Sequence, residues 1–131
     1  MSELRRLLGT IEPRLHAGVY VFTSVPPGTD LSSVPVLSTF LESEGVSVIL
    51  AEADARALGW PILFSAAWIT LTVHSDLQSV GLTAAVSSAL AEAQISCNVV
   101  AGVHHDHLFV PVARAEEAVA VLKRLMASAS E

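Results

Sequence analysis

The feature that most constrains the fold of this 131-residue chain is a strand–helix–strand–strand pattern in its second half. Residues 68–74 (WITLTVH) alternate apolar and polar side chains, as a half-buried strand does. Apolar residues at helical spacing between Leu82 and Ala93 predict a helix, and residues 97–103 are predicted to form the next strand. Because β-α-β crossovers leave their two strands parallel, both strands are expected to end at the same edge of a sheet.

The strand predicted at 107–112 follows a three-residue turn at 104–106. It either pairs antiparallel with strand 97–103 or inserts between the two parallel strands. The second arrangement is the split β-α-β of a ferredoxin-like sheet. In either case the loop 75–81 and the turn 104–106 share one rim of the sheet, and ligands commonly bind at such rims. A last helix, after residue 115, is expected to turn its apolar face to the sheet.

The first half of the chain carries a weaker version of the same pattern. The predicted elements are a helix at 2–8, a strand at 19–25, a loop at 26–30, a helix from Ser33 to Gly45 with Leu37, Phe40 and Leu41 on one side, a strand at 46–51 and a helical turn at 53–59. A shift that brings Val19 onto Trp68 aligns the two halves without a gap. We therefore predict a truncated unit at 1–64 and a more complete related unit at 65–131. The alternative is that any two β-α-β segments would align equally well.

Composition disfavours several classes of function. The formal net charge is −6, and the seven basic residues are scattered, so there is no footprint for nucleic acid and little attraction to anionic membranes. Residues 57–75 contain no charged side chain, but Gly59 and Pro61 interrupt them, and a membrane span is rejected. The charged N-terminus does not resemble a signal peptide. The single cysteine, Cys97, fits a reducing compartment, so a cytoplasmic location is expected.

Three histidines and an aspartate occupy residues 104–107. With His74 and Asp76 they supply the side-chain types that bind zinc, but neighbouring residues of a strand point to opposite faces and cannot all converge. The sequence has no nucleophile elbow of the G-x-S-x-G type. We therefore predict no catalytic residue, no metal and no cofactor. A polar hairpin tip and the rim of a small-ligand site remain open as interpretations.

Residues 74–102 (HSDLQSVGLTAAVSSALAEAQISCNVVAG) resemble the signature of ACT domains, which are small regulatory modules that bind amino acids. The matching positions are Asp76, Gly81, Leu82, Val86, Leu90 and Ile95. The run from residue 68 to residue 125 is similar to a group of small bacterial proteins with tandem ACT-like units. The resemblance implies an α+β, ferredoxin-like βαββαβ fold, in which tandem units each have an antiparallel sheet with helices on one face.

The resemblance also implies that this is a regulatory protein without enzyme activity, which binds an amino acid, forms a homodimer and acts on a regulated enzyme partner. A glycine at the junction of loop and helix lets a ligand approach backbone N–H groups, although tight packing would also explain Gly81. The residues expected to bind the ligand are His74, Ser75, Asp76, Val80, Gly81, Leu82, Asn98, His104, His105 and His107. The alternative is a metal-binding or protein-interaction module that uses the rim His104–His107.

Overall fold

The structure is a computed structural model that describes residues 3–72 and 81–129. In chain order its elements are α1 (Glu3–Thr10), β1 (Pro13–Leu15), β2 (Tyr20–Val25), β3 (Val36–Leu41), β4 (Val46–Ala51), α2 (Glu52–Leu58), β5 (Phe64–Leu71), α3 (Leu82–Glu92), β6 (Asn98–Ala101), β7 (Asp106–Pro111), a 3-10 turn (Val112–Arg114) and α4 (Ala115–Ala129). Within these described residues, none of the helices combines the length and the apolar character that crossing a membrane requires.

The chain divides into two compact units. The central unit is Ala17–Ala66, and the terminal unit combines Met1–His16 with Ala67–Glu131. Helix α1 and strand β1 therefore belong with the second half of the chain, although they precede the central unit in sequence. A division by spatial contacts does not show whether two stretches of sequence arose by duplication. The division into related sequence units at 1–64 and 65–131 therefore stays a prediction.

The sheet of the terminal unit has the inserted strand order that the sequence allowed. Strand β7 lies between β5 and β6, and it pairs antiparallel with β6, with Val100 opposite His107. On β5, the pairing with β1 is also antiparallel and sets Arg14 opposite Thr70. The ferredoxin-like prediction is confirmed in this unit, because the β5–α3–β6 crossover leaves room for β7 in the middle.

One face of this sheet is covered by helices. Ile69, Leu71, Leu108 and Val110 point from β5 and β7 into a core that is completed by residues of α1, α3 and α4. These helical residues share the apolar stripe of their helix and include Leu8, Leu82, Val86, Leu90, Ala118, Leu122 and Met126. Because side chains alternate along a strand, Trp68, Thr70, His107 and Phe109 are left on the opposite face of the sheet.

The central unit corrects the prediction for residues 33–45. The segment predicted as a helix contains strand β3, which pairs antiparallel with β4 from Val36 opposite Leu50 to Leu41 opposite Val46. The helical spacing of Leu37, Phe40 and Leu41 is incidental, since these three side chains are exposed rather than buried. Pairing with β4, which lies between β3 and β2, outweighs the local pattern.

Gly45, interpreted from the sequence as the end of that helix, lies in the β3–β4 hairpin instead. Its carbonyl accepts a hydrogen bond of 2.9 Å from the Glu42 N–H. A Cβ at this position would approach the Val25 carbonyl oxygen to 2.7 Å, so only glycine fits. The order strand, loop, helix, strand therefore does not repeat in both halves: the third element is a strand in the central unit and the helix α3 in the terminal unit.

Candidate ligand site

The start of α3 is built around Gly81. This residue has φ +99°, in the left-handed region, and a Cβ added to it would lie 3.0 Å from Cδ2 of Leu4. Its carbonyl accepts a hydrogen bond of 2.9 Å from the Ala85 N–H and so opens the helix. Backbone conformation and packing on α1 each favour glycine here. Tight packing, the alternative explanation drawn from the sequence, is thus a sufficient reason for Gly81.

The first turn of α3 offers backbone donors. In the described part of the chain no side chain caps this helix end, and no acidic residue lies in the first turn. The Leu82 side chain is buried in the core, so this residue can offer a ligand only its backbone N–H. Free N–H groups and the positive end of the helix dipole together suit an anion such as a carboxylate.

The turn between β6 and β7 differs slightly from the predicted one. It spans residues 102–105 and is closed by a 2.9 Å hydrogen bond from the Gly102 N–H to the His105 carbonyl. Asp106, expected in the turn, begins β7 instead. His104 is exposed and His105 is half-buried. Because β7 runs between β5 and β6, this turn lies at the end of the sheet where β5 and β6 both finish.

His107 lies on the face of the sheet opposite the helices rather than on the rim. The Trp68 indole N–H donates to its Nδ1 at 3.0 Å, and Oγ1 of Thr70 lies 3.1 Å from the same nitrogen. A Cβ at Gly102 would be 3.4 Å from its Nε2, so the ring reaches back to the turn. Burial, and secondarily the charge of His105, lower the pKa of His107, while Asp106 acts in the opposite direction.

A second histidine, His16, completes this arrangement. Its ring stacks on Trp68 with 3.6 Å between the centroids, and its Nε2 lies 2.7 Å from Oγ1 of Thr70. Burial is the main reason for the lowered pKa of His16, with smaller contributions from Arg14 and His107. We name His16, Trp68, Thr70 and His107 the His107 cluster. The sequence does not predict that His16 belongs to this cluster, because nothing local indicates that residues 13–16 lie beside β5.

The remaining predicted site residues fall into two groups. Asn98 begins β6 and pairs with Phe109, so it lies at the opposite end of this strand from the turn, about 10 Å away for three residues of extended chain. The structure therefore does not bring Asn98 together with the turn histidines. Four more predicted residues, His74, Ser75, Asp76 and Val80, lie outside the described residues.

Acidic and histidine side chains do not form a metal centre in the described ranges, where no group of three or more His, Cys, Asp or Glu residues is arranged to hold an ion. Asp106 is partly buried, and this burial raises the pKa of its carboxyl group. The thiol of Cys97 has a pKa raised to about 11 by burial, which makes it a poor nucleophile and a poor metal ligand at neutral pH.

Comparison with known proteins assigns the family. ACT domain family models match residues 1–67 and 64–124, so the two matches together cover most of the chain. A solved Vibrio cholerae protein, described as of unknown function and a possible transport protein, is 41% identical to this chain; the alignment covers 94% of this chain and 95% of that one, with a TM-score of 0.85. No curated protein sequence matches significantly.

Two more distant structures share the fold. The regulatory subunit of aspartate kinase from Thermus flavus has a TM-score of 0.61 at 9% identity, over 87% of this chain and 96% of that chain. An Agrobacterium tumefaciens protein has a TM-score of 0.64 at 16% identity, over 88% of this chain and 89% of that chain. At such identities the likeness concerns the fold alone. From its two family matches, this chain belongs to the ACT domain family, as a tandem pair of ACT units.

Proposed function

We propose that this protein is a non-catalytic regulatory module that binds a free amino acid in its terminal unit. The observation that carries the proposal is the match of both halves to ACT domains, which are regulatory modules that bind small molecules. The regulatory subunit of aspartate kinase, whose fold is similar, agrees with a regulatory role. The expected partner is a regulated enzyme, whose activity would change when the amino acid binds.

The start of α3 suits the α-carboxylate of such a ligand. The backbone N–H groups of Leu82 and the next residues are uncapped by any described side chain, and such a helix start suits an anion. The turn 102–105, with His104 and His105, would border the ligand from the other side, with His107 behind it. His74, Ser75, Asp76 and Val80 remain predicted members of the site, whereas Asn98 does not, because it lies at the far end of β6.

A screen of the twenty amino acids by thermal denaturation tests the proposal. A ligand present at a hundredfold excess over its dissociation constant should stabilise the folded state by about 2.7 kcal/mol. A parallel screen of divalent metal ions, each repeated with a chelator, separates amino-acid binding from the metal-binding alternative. If no amino acid at millimolar concentration raises the melting temperature, the proposed function is wrong.

A matched pair of variants locates the site. His104→Ala removes an exposed side chain from the turn, and Asn98→Ala removes an exposed side chain from the opposite end of β6. Neither change disturbs the core, so both variants should melt close to the parent. The amino acid should bind less tightly to the His104→Ala variant, by roughly tenfold or about 1.4 kcal/mol, and equally well to the Asn98→Ala variant. Equal effects of both changes would contradict the location.

We extend the proposal to a homodimer. Strand β3 is at the edge of the sheet of the central unit, and it exposes Leu37, Phe40 and Leu41 to solvent. Natural edge strands usually carry charges that prevent pairing with other chains, and Val36–Leu41 has none. A second copy would cover these apolar side chains. The cytoplasmic location and the absence of enzyme activity remain predictions of the same proposal.

A further inference from the structure

The hydrogen-bond directions within the His107 cluster follow from the chemistry of tryptophan. An indole N–H is a donor only, so Nδ1 of His107, 3.0 Å from the Trp68 nitrogen, must be the accepting, unprotonated nitrogen of the ring. The neutral ring then carries its proton on Nε2, the nitrogen nearest to Gly102. The tautomer of His107 is therefore determined by Trp68, whose indole N–H can only donate.

The directions of the other two bonds follow from this one. Since Nδ1 of His107 has no proton, the hydroxyl group of Thr70, 3.1 Å away, must donate to it. Thr70 has one hydroxyl proton, so its oxygen accepts the bond from Nε2–H of His16 at 2.7 Å. All four side chains are thus linked in one direction, from His16 through Thr70 to His107, with Trp68 as a second donor to the same acceptor.

We infer that the His107 cluster is a proton-sensitive switch: protonation of Nδ1 of His107 breaks its bond to Trp68 and displaces the ring from its place beside Gly102 and the turn 102–105. A protonated Nδ1 would face the Trp68 N–H donor to donor, because an indole nitrogen cannot accept, whereas the Thr70 hydroxyl can rotate and accept. The indole is held in its orientation by the stack on His16, with 3.6 Å between the ring centroids, so His107 is the ring expected to move.

The charged and titratable groups around His107 either oppose or favour its protonation. From β1 and its end come Arg14 and His16: the charges of Arg14 and of His107 both disfavour a charge on His16, so the two histidines oppose each other's protonation. From the turn comes His105, which acts in the same sense, and from β7 comes Asp106, which favours the charged ring. Burial also disfavours the charged ring of His107, so His107 is neutral at neutral pH.

We expect a movement of the His107 ring to affect the turn 102–105 through Gly102. The His107 ring lies so near Gly102 that a Cβ there would be 3.4 Å from its Nε2, and the Gly102 N–H donates the hydrogen bond that closes the turn. The inference does not rest on the proposed amino-acid ligand, since it concerns only protein side chains, and its test needs no ligand.

Trp68 itself reports on the switch. The chain has two tryptophans, so Trp60→Phe leaves Trp68 as the sole indole. We expect its fluorescence, and the position of its indole N–H resonance, to change in one step between about pH 8 and pH 5. The midpoint should lie below 6.5, the ordinary pKa of histidine. In the same background, nitrogen-resolved NMR of the imidazole rings above the midpoint should find the proton of His107 on Nε2.

Four variants in the Trp60→Phe background separate the switch from other histidines. His107→Asn keeps an accepting oxygen for Trp68 but cannot be protonated, so the step should disappear when this change is combined with His16→Asn, which removes the second titratable ring that contacts Trp68. Thr70→Val removes one donor to the neutral ring and should move the midpoint upward. His16→Asn and His104→Asn should keep a step. A step that survives in the His16→Asn/His107→Asn double variant, a step lost already in the His16→Asn single variant, or a His107 ring protonated on Nδ1 at neutral pH would each overturn the inference.

Discussion

The backbone conformation at position 81 requires glycine, whether or not a ligand binds beside it. Its φ of +99° and the 3.0 Å approach of Leu4 to a hypothetical Cβ are both properties of the folded protein alone. A substitution at Gly81 would therefore change stability together with any binding, which makes it a poor probe of the ligand site. The exposed side chains of the turn 102–105 are better probes.

Gly81→Ala should lower the free energy of unfolding by about 1–2 kcal/mol, the cost of a left-handed residue with a Cβ, and somewhat more because Leu4 must shift. Gly28→Ala provides the control, because Gly28 also has a positive φ, +84°, but has nothing within 4 Å of a Cβ. Urea denaturation of both variants measures the difference. A Gly81→Ala variant as stable as the parent would show that the helix start is not under this constraint.

Thr23 provides a second prediction at the same scale. Its side chain is 3% exposed, and within the described residues its Oγ1 has no hydrogen-bond partner. Thr23→Val replaces a buried, unpaired hydroxyl by a methyl group of similar size and should stabilise the protein by about 1–2 kcal/mol. Thr72→Val is the matched control, because Oγ1 of Thr72 donates to the Glu12 carbonyl at 2.7 Å. If urea denaturation shows both variants to be destabilised, the Thr23 hydroxyl has a partner.

Secondary structure was predictable where the pattern is strong and the partner is near in sequence. Helix α3, strand β6 and the start of α4 lie close to their predicted positions, since each carries a clear period of 3.6 or 2 residues. Strand β3 was predicted as a helix because Leu37, Phe40 and Leu41 have helical spacing. Its true partner is β4, and the pairing is decided by the β3–β4 hairpin at Gly45 rather than by the apolar pattern.

The edge position of β3 leads to a test of the proposed dimer. Phe40 is 72% exposed, so Phe40→Lys should change the free energy of unfolding of one chain by less than about 0.5 kcal/mol. Light scattering at tens of micromolar should find a dimer for the parent and a monomer for this variant. Leu58→Lys, at a half-exposed residue of α2, should leave the dimer intact. A parent protein with monomer mass would contradict the homodimer itself, and a dimeric Phe40→Lys variant would exclude β3 as its interface.

At the scale of the whole molecule, the two half-buried histidines His16 and His107 link stability to pH. The folded state lowers the pKa of both His16 and His107 from 6.5. Each therefore binds fewer protons when folded than when unfolded, and the free energy of unfolding rises with pH in this window. Their stabilisation is fully present above pH 6.5 and is lost as the pH falls from 6.5 through the lower pKa of the folded state. The raised pKa of Asp106 has the opposite sign and takes effect closer to its ordinary value of 3.8.

Urea denaturation at about pH 7.5 and about pH 5.5 checks this linkage. We expect the parent to be less stable at the lower pH, and we expect the difference to shrink in the His107→Asn variant. The His104→Asn variant, which changes an exposed residue of the turn, should behave like the parent. Equal stability of the parent at the two pH values would contradict the lowered pKa of both histidines.

The sequence by itself determined the strands and helices of the terminal unit and its β-α-β crossover, because hydrophobic periods and the handedness of a crossover are local and general properties. The resemblance to ACT domains implied the ferredoxin-like order, and the tertiary structure decided that β7 lies between β5 and β6. The ACT family signature likewise lies within one continuous stretch of residues. Only the tertiary structure decided that β1 lies beside β5, which brings His16 onto Trp68 and Thr70. It also separated Asn98 from the turn histidines and placed His107 against Trp68 and Thr70 on the face of the sheet opposite the helices. The physical reason is cross-strand register: a shift by one residue exchanges the two faces of a strand, and pairing between residues more than fifty positions apart leaves no local pattern.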